Sequence, residues 1–206
     1  LPTINMTSEQ KFPIKNLCLF CGSSSPKDKD LADGAIALCK EMLSRKIGLV
    51  YGGGTMGMMG IIGKTIHEGG GKVLGIIPSA LMSREAHDPV VYGENVVVDS
   101  MHDRKFKMYQ ASDGFIALPG GFGTLDELLE VLTWSQIGIH IRPVAILNTK
   151  GFFDGLLTFV KHAVAEGFIS EAAAELLIVS DDPVELINKM ESHVPKDSPF
   201  QWPVKP

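Results

Sequence analysis

The chain is poor in cysteine, with three in 206 residues, and so small and odd a set provides no disulfide framework. Long apolar runs are missing: none approaches the roughly 20 residues of a membrane span, and no membrane partner is expected. Basic tracts are missing as well. Acidic residues outnumber basic ones 24 to 19, for a net charge of −5, which argues against nucleic acid as a partner. The six histidines, at positions 67, 87, 102, 140, 162 and 193, show no metal-ligand spacing such as H-E-x-x-H, so neither a metal nor another cofactor is expected. The first sixteen residues carry no apolar stretch of secretory type, and a cytoplasmic location is the expectation. Cys18 and Cys21 form a C-x-x-C, but within an apolar run and not at a helix N-terminus, where a thiolate would gain stabilisation. They read as small buried hydrophobes, as does Cys39, which shares helical spacing with Leu31, Ala35, Leu38 and Met42.

What the chain does have is a 45% hydrophobic content, enough for one α/β domain with a substantial core. Short apolar runs near 17–21, 47–51, 73–77, 96–98, 114–118, 143–147 and 176–180 read as strands, with helical stretches between them. Continuous apolar strands suit a parallel sheet covered on both faces. The expected fold is α/β, a Rossmann-like doubly wound parallel sheet in a single domain over 16–194. Residues 1–15 read as a loose arm and 195–206 as a proline-rich, mobile tail. The segment 79–95 has no clear periodicity and the length of a binding loop or lid.

The strongest local signal is Leu118-Pro119-Gly120-Gly121-Phe122-Gly123-Thr124-Leu125-Asp126-Glu127, a glycine loop between a buried strand and a helix expected over 124–137, with Leu125, Leu128, Leu129 and Leu132 on one face. Free N–H groups and the positive dipole end of a helix N-terminus favour a phosphate, and glycine lets the backbone approach it. Asp126 and Glu127 either complement the helix dipole or act on something attached to that phosphate. A second strand-to-helix turn, Gly52-Gly53-Gly54-Thr55-Met56-Gly57, suggests one crevice at the carboxyl edge of the sheet. Gly52, Gly54 and Gly57 satisfy G-x-G-x-x-G, but the next strand ends in Pro78-Ser79 with no acid for a ribose hydroxyl, which argues against NAD. Gly63-Lys64-Thr65 echoes a Walker A ending, yet its opening position is Met58 and it lies inside a helix, which argues against a P-loop NTPase.

A third element, Met101-His102-Asp103-Arg104-Lys105, opens a helix with basic residues that oppose the dipole. An anionic ligand would relieve that conflict, and arginine grips phosphates or purine edges with a planar fork of donors. The plainer reading is a solvated, charged helix start.

Together, Met101–Lys105 and Pro119–Glu127 resemble the LONELY GUY family of phosphoribohydrolases, long mislabelled as lysine decarboxylases. The likeness extends to Phe20–Ser24, Tyr51–Gly54 and Leu132–His140, and covers nearly all of 16–190. It implies hydrolysis of the N-glycosidic bond of N6-substituted adenosine 5′-monophosphates, giving free base and ribose 5-phosphate. It implies Arg104 and Glu127 as catalytic residues, Gly120, Gly121, Phe122, Gly123 and Thr124 as the phosphate loop, and Ser23, Gly53, Gly54, Lys105, Thr133 and Glu85 as further substrate contacts. Family members associate as homodimers through the region of Trp134. The residues alone also admit a general purine 5′-monophosphate nucleosidase, or a non-enzymatic carrier of nucleotide or molybdenum cofactor. A carrier needs the phosphate loops but has no use for the acid at Glu127.

Overall fold

The computed structural model describes residues 12–82 and 91–194. Seven strands form one parallel sheet: β1 (Asn16–Phe20), β2 (Gly48–Tyr51), β3 (Val73–Pro78), β4 (Glu94–Val98), β5 (Gly114–Ala117), β6 (Val144–Leu147) and β7 (Leu177–Ser180). The central strands are apolar on both sides because both faces of the sheet are covered. Between them run the helices α1 (Lys29–Ser44), α2 (Gly57–Glu68), α3 (Met101–Gln110), α4 (Phe122–Gln136), α5 (Asp154–Ala165), α6 (Glu171–Ala174) and α7 (Pro183–Glu191).

The strand order is β4-β3-β2-β1-β5-β6-β7. The chain winds outward from β1 to β4, crosses back through α3 to place β5 beside β1, and then winds outward the other way. In such a sheet the loops after the two central strands diverge to opposite faces and leave a crevice at their carboxyl ends. The β1–β5 pairing, from Leu17 opposite Gly114 to Phe20 opposite Ala117, fixes that switch point. One core lies under α1, α2 and α7, around Leu38, Met42, Ile62 and Leu186. The other lies under α3, α4 and α5, around Met108, Leu128, Val131 and Phe153.

Two local details differ from the sequence reading. Helix α4 starts at Phe122, two residues early, and buries Thr124, Leu128 and Val131, an i, i+4, i+7 stripe. Leu125 and Leu132 only flank that stripe, while Leu129 falls outside it and is 43% exposed. At the other end of the domain, Phe12 is buried, its N–H donates to the Glu191 carbonyl at 2.6 Å, and its ring meets His193 edge-on. The chain is therefore already packed against the end of α7 before β1 begins.

Candidate active site

Loops after β1, β2 and β5 meet above the switch point. The Gly22 N–H donates to Pro119 O at 3.1 Å and the Leu118 N–H to Phe20 O at 2.8 Å, so the β1–β5 register continues into the loops. A Cβ on Gly57, which has φ +58°, would lie 2.2 Å from Ser23 O, so glycine is needed there to bring the start of α2 against the β1 loop. The result is a cleft of about 280 Å³, near the lower end of the about 300–1,000 Å³ typical of small-ligand sites.

One end of the cleft is built for an anion. Helices α1, α3, α6 and α7 begin on a capping side chain, respectively Asp28, Ser100, Ser170 and Asp182. Helix α4 begins on Gly121 with no side-chain cap. Its first amides, those of Phe122, Gly123 and Thr124, have no acceptor within the helix and none elsewhere among the described residues. A Cβ at Gly121 or Gly123 would meet nothing within 4 Å, whereas one at Gly120 would strike Thr124 Oγ1. Gly120 is thus glycine for the sake of Thr124, and Gly121 and Gly123 leave open space in front of bare N–H groups, as a bound phosphate requires.

The other end carries the charge and the apolar wall. Arg104 is only 5% exposed. Its Nε donates to Ile76 O at 3.1 Å, one terminal nitrogen donates to Gly52 O at 2.8 Å, and the other reaches Met101 Sδ at 3.8 Å. These carbonyls, 28 and 52 residues distant in sequence, satisfy a buried cation that would otherwise be costly. Glu127, half-buried on the second turn of α4, lines the same cleft. Its carboxylate field reaches Cys21, whose thiol is pushed far above its usual value, first by burial and then by Glu127. Cys21 is therefore a neutral part of the wall, and burial raises the pKa of Cys18, off the wall, in the same way. Met59, Met101 and Met108 complete an apolar surface beside Arg104.

The cleft thus brings together Arg104, Glu127, Ser23, Gly121, Phe122, Gly123 and Thr124. Other residues expected at the site lie off its wall. Gly53 and Gly54 stand behind Gly52, which does line the cleft, and Gly53 holds a left-handed backbone, φ +74°. Thr133 donates its hydroxyl to Leu129 O one turn back along α4. Lys105 pairs with Asp126 and Glu130 at 3.2 and 3.0 Å. Glu85 lies outside the described residues. Sequence reasoning did not assign Gly52, Cys21 or the three methionines to the site, although Gly52, Cys21 and Met101 lie in segments that carry the family likeness.

A larger depression of about 460 Å³ opens at the opposite edge of the sheet, lined by Lys15, Lys46, Lys72 and Gly69–Gly71. Exposed lysines just past the ends of α1 and α2 complement the negative ends of those helices, and no reactive group accompanies them. The smaller cleft, with its convergent polar groups, is the better candidate for a functional site. Among the described residues, no group of three or more His, Cys, Asp or Glu side chains could hold a metal ion.

By fold alone, the chain resembles the molybdenum cofactor carrier protein of Chlamydomonas reinhardtii (TM-score 0.62, 19% identity, 88% of this chain and 98% of that one). It also resembles the molybdenum cofactor binding protein of Rippkaea orientalis (TM-score 0.62, 22% identity, 86% and 97%). A family model described as "Possible lysine decarboxylase" matches residues 59–190. Among curated proteins, cytokinin riboside 5′-monophosphate phosphoribohydrolase LOG3 of Arabidopsis thaliana is 49% identical over 188 residues, 91% of this chain and 87% of the relative. The probable enzyme LOGL2 of Oryza sativa subsp. japonica is 47% identical over 193 residues, 94% and 78%. With the phosphate-ready helix start, Arg104 and Glu127 all inside the aligned span, the chain belongs to the LOG family of cytokinin riboside 5′-monophosphate phosphoribohydrolases.

Proposed function

We propose that this cleft hydrolyses the N-glycosidic bond of N6-substituted adenosine 5′-monophosphates, releasing the free base and ribose 5-phosphate. One observation carries the reading: three unpartnered helix-start amides, a buried arginine and a carboxylate share a single cleft at the switch point. The phosphate sits on the Phe122, Gly123 and Thr124 amides. The ribose then lies over the next turn, beside Glu127, and the base extends toward Arg104 and the methionines. As the C1′–N9 bond breaks, positive charge grows on the ribose and the bonding pair moves to N9. The Glu127 carboxylate stabilises that cation and orients the water whose oxygen bonds to C1′. Arg104, held by two carbonyls, meets the charge gathering on the departing purine, which leaves as the neutral base, its proton balanced by the one the attacking water gives up as its oxygen becomes the C1′ hydroxyl. Met59, Met101 and Met108 give an N6 substituent an adaptable apolar surface.

A second copy of the chain belongs to this reading. Leu129 and Phe106 are exposed apolar residues on α4 and α3, next to the segment through which the family's homodimers form, and they support an interface there. A cytoplasmic location, where nucleoside monophosphates are found, goes with the same substrate; no helix among the described residues is long and apolar enough to cross a membrane.

The test is base release from isopentenyladenosine 5′-monophosphate, AMP and the isopentenyl riboside, followed by chromatography. The monophosphate with the N6 group should be cleaved best and the riboside hardly at all, because phosphate binding energy serves the reaction at C1′. Equal cleavage of the riboside would refute the phosphate assignment. Tight binding of the monophosphate without cleavage would favour a carrier.

A further inference from the structure

Arg104 and Glu127 ride on helices docked to opposite halves of the sheet. Helix α3 makes its main contacts with β3 and β4, and α4 with β5, β1 and β6. Arg104 itself is hydrogen-bonded to carbonyls at the ends of β2 and β3. The separation between the two reactive groups is therefore not set by packing of one helix backbone on the other; it depends on side chains that span the switch point. Such links among the described residues include a ring contact and an ion pair. Tyr109 of α3 meets Trp134 of α4 edge-on at 5.2 Å, at the end remote from the cleft. At the cleft end, Lys105 Nζ lies 3.0 Å from Glu130 and 3.2 Å from Asp126.

The Lys105 link is more than a surface ion pair. Its side chain is 15% exposed and that of Glu130 26%, so the pair is screened less than an exposed one. Burial works against the Lys105 charge, but hydrogen bonds to Glu130 and Asp126 outweigh it and raise the lysine's pKa above its usual value. Asp126 and Glu130 stand at i and i+4, a mutually repulsive spacing on one helix, and a single cation from the other helix relieves it. A small void bounded by Lys105, Glu130 and Glu127 places this bridge directly behind the proposed catalytic carboxylate.

We infer that Lys105 is a positioning residue that sets the spacing of Arg104 and Glu127 by bridging α3 to Asp126 and Glu130 of α4. The inference rests on the phosphoribohydrolase reading for its effect on rate. The experiment compares Lys105→Met and Lys105→Arg by hydrogen exchange and by steady-state kinetics on isopentenyladenosine 5′-monophosphate. In the Met variant, α3 amides should lose protection as the helix opens more readily. In the same variant, kcat should fall about tenfold with KM within about twofold, the pattern of lost alignment with retained binding. Arginine should restore both. A raised KM with kcat unchanged would make Lys105 a substrate contact, and unaltered exchange in the Met variant would make the bridge incidental; either result overturns the inference. A wild-type protein inert on every monophosphate would defeat the phosphoribohydrolase reading instead, and the exchange comparison would still decide whether Lys105 holds the two helices together.

Discussion

Gly52→Ala is a substitution that replaces no reactive group yet should remove most activity. A Cβ at Gly52 would stand 2.0 Å from a terminal nitrogen of Arg104 and 3.0 Å from its central carbon. Ordinary contact between heavy atoms is about 3.5–4.0 Å, so the guanidinium must withdraw by about 1.5 Å. It cannot do so and keep the 2.8 Å bond to Gly52 O, because hydrogen bonds fail beyond about 3.5 Å. A hydrogen bond to a charged group contributes about 1.5–3 kcal/mol, which sets the stability loss, since the arginine head is buried. For a domain of this size that corresponds to a melting temperature lower by about 3–12 °C. A displacement of about 1 Å at a catalytic group costs on the order of a hundredfold in rate. Steady-state kinetics and thermal melts on Gly52→Ala, Arg104→Ala and the double variant form the assay. With Arg104 gone, the alanine has no guanidinium to displace, so both costs of Gly52→Ala should largely vanish in that background. Wild-type kcat/KM in Gly52→Ala, or a penalty that persists in the double variant, would show that Gly52 is glycine for a reason other than Arg104.

Three further predictions rest on separate features. Glu127→Gln keeps the size of the side chain while removing its charge, and kcat should fall about a hundredfold or more, with monophosphate affinity by calorimetry nearly retained; wild-type turnover would leave Glu127 as a complement to the helix dipole. Gly123→Ala adds a Cβ with nothing within 4 Å, so the ligand-free protein should gain up to about 1 kcal/mol from helix propensity while KM for the monophosphate rises; a destabilised variant, or one with unchanged KM, would contradict the phosphate placement. His140 is 3% exposed, and burial holds its pKa at about 4 against an ordinary 6.5. Its Nε2–H donates to Val131 O and its Nδ1 accepts the Arg142 N–H, so it folds neutral and the unfolded chain binds the extra proton. Stability should fall as pH drops from about 6.5 to 4, by about 3 kcal/mol in all, and urea melts of His140→Gln should show a shallower decline over that window.

The strands and the uncapped glycine start of α4 were legible in the sequence because each leaves a local trace. A strand covered on both faces must be apolar at every position, as in Phe115-Ile116-Ala117, and a helix start with open space before its bare N–H groups shows in the sequence as a run of glycine, here Gly120, Gly121 and Gly123. The buried stripe of α4 was less legible. Leu129 counts as apolar in any periodicity test, whereas Thr124 does not, although the structure exposes the first and buries the second. The reason is tertiary: the Thr124 hydroxyl is seated over Gly120, which turns that side of the helix inward.

The burial and the partners of the remaining site residues left no local trace, because the fold, not the neighbouring sequence, sets them. Arg104 sits in a run of charged residues that reads as a solvated helix start, and nothing near it in the chain shows that it is buried. Its acceptors are the carbonyls of Ile76 and Gly52, backbone groups that every sequence possesses and that become a cation site only when α3 crosses back over β3. The glycine at 52 is then required by an arginine 52 positions later, a dependence that no loop motif expresses. Lys105 presents the converse case. Its position beside Arg104 suggested a second contact to the substrate, but one residue further along a helix turns the side chain by about 100°, away from the cleft and onto Glu130 and Asp126. Two adjacent cations on one helix thus face two ways, Arg104 into the cleft and Lys105 onto the helix that carries Glu127.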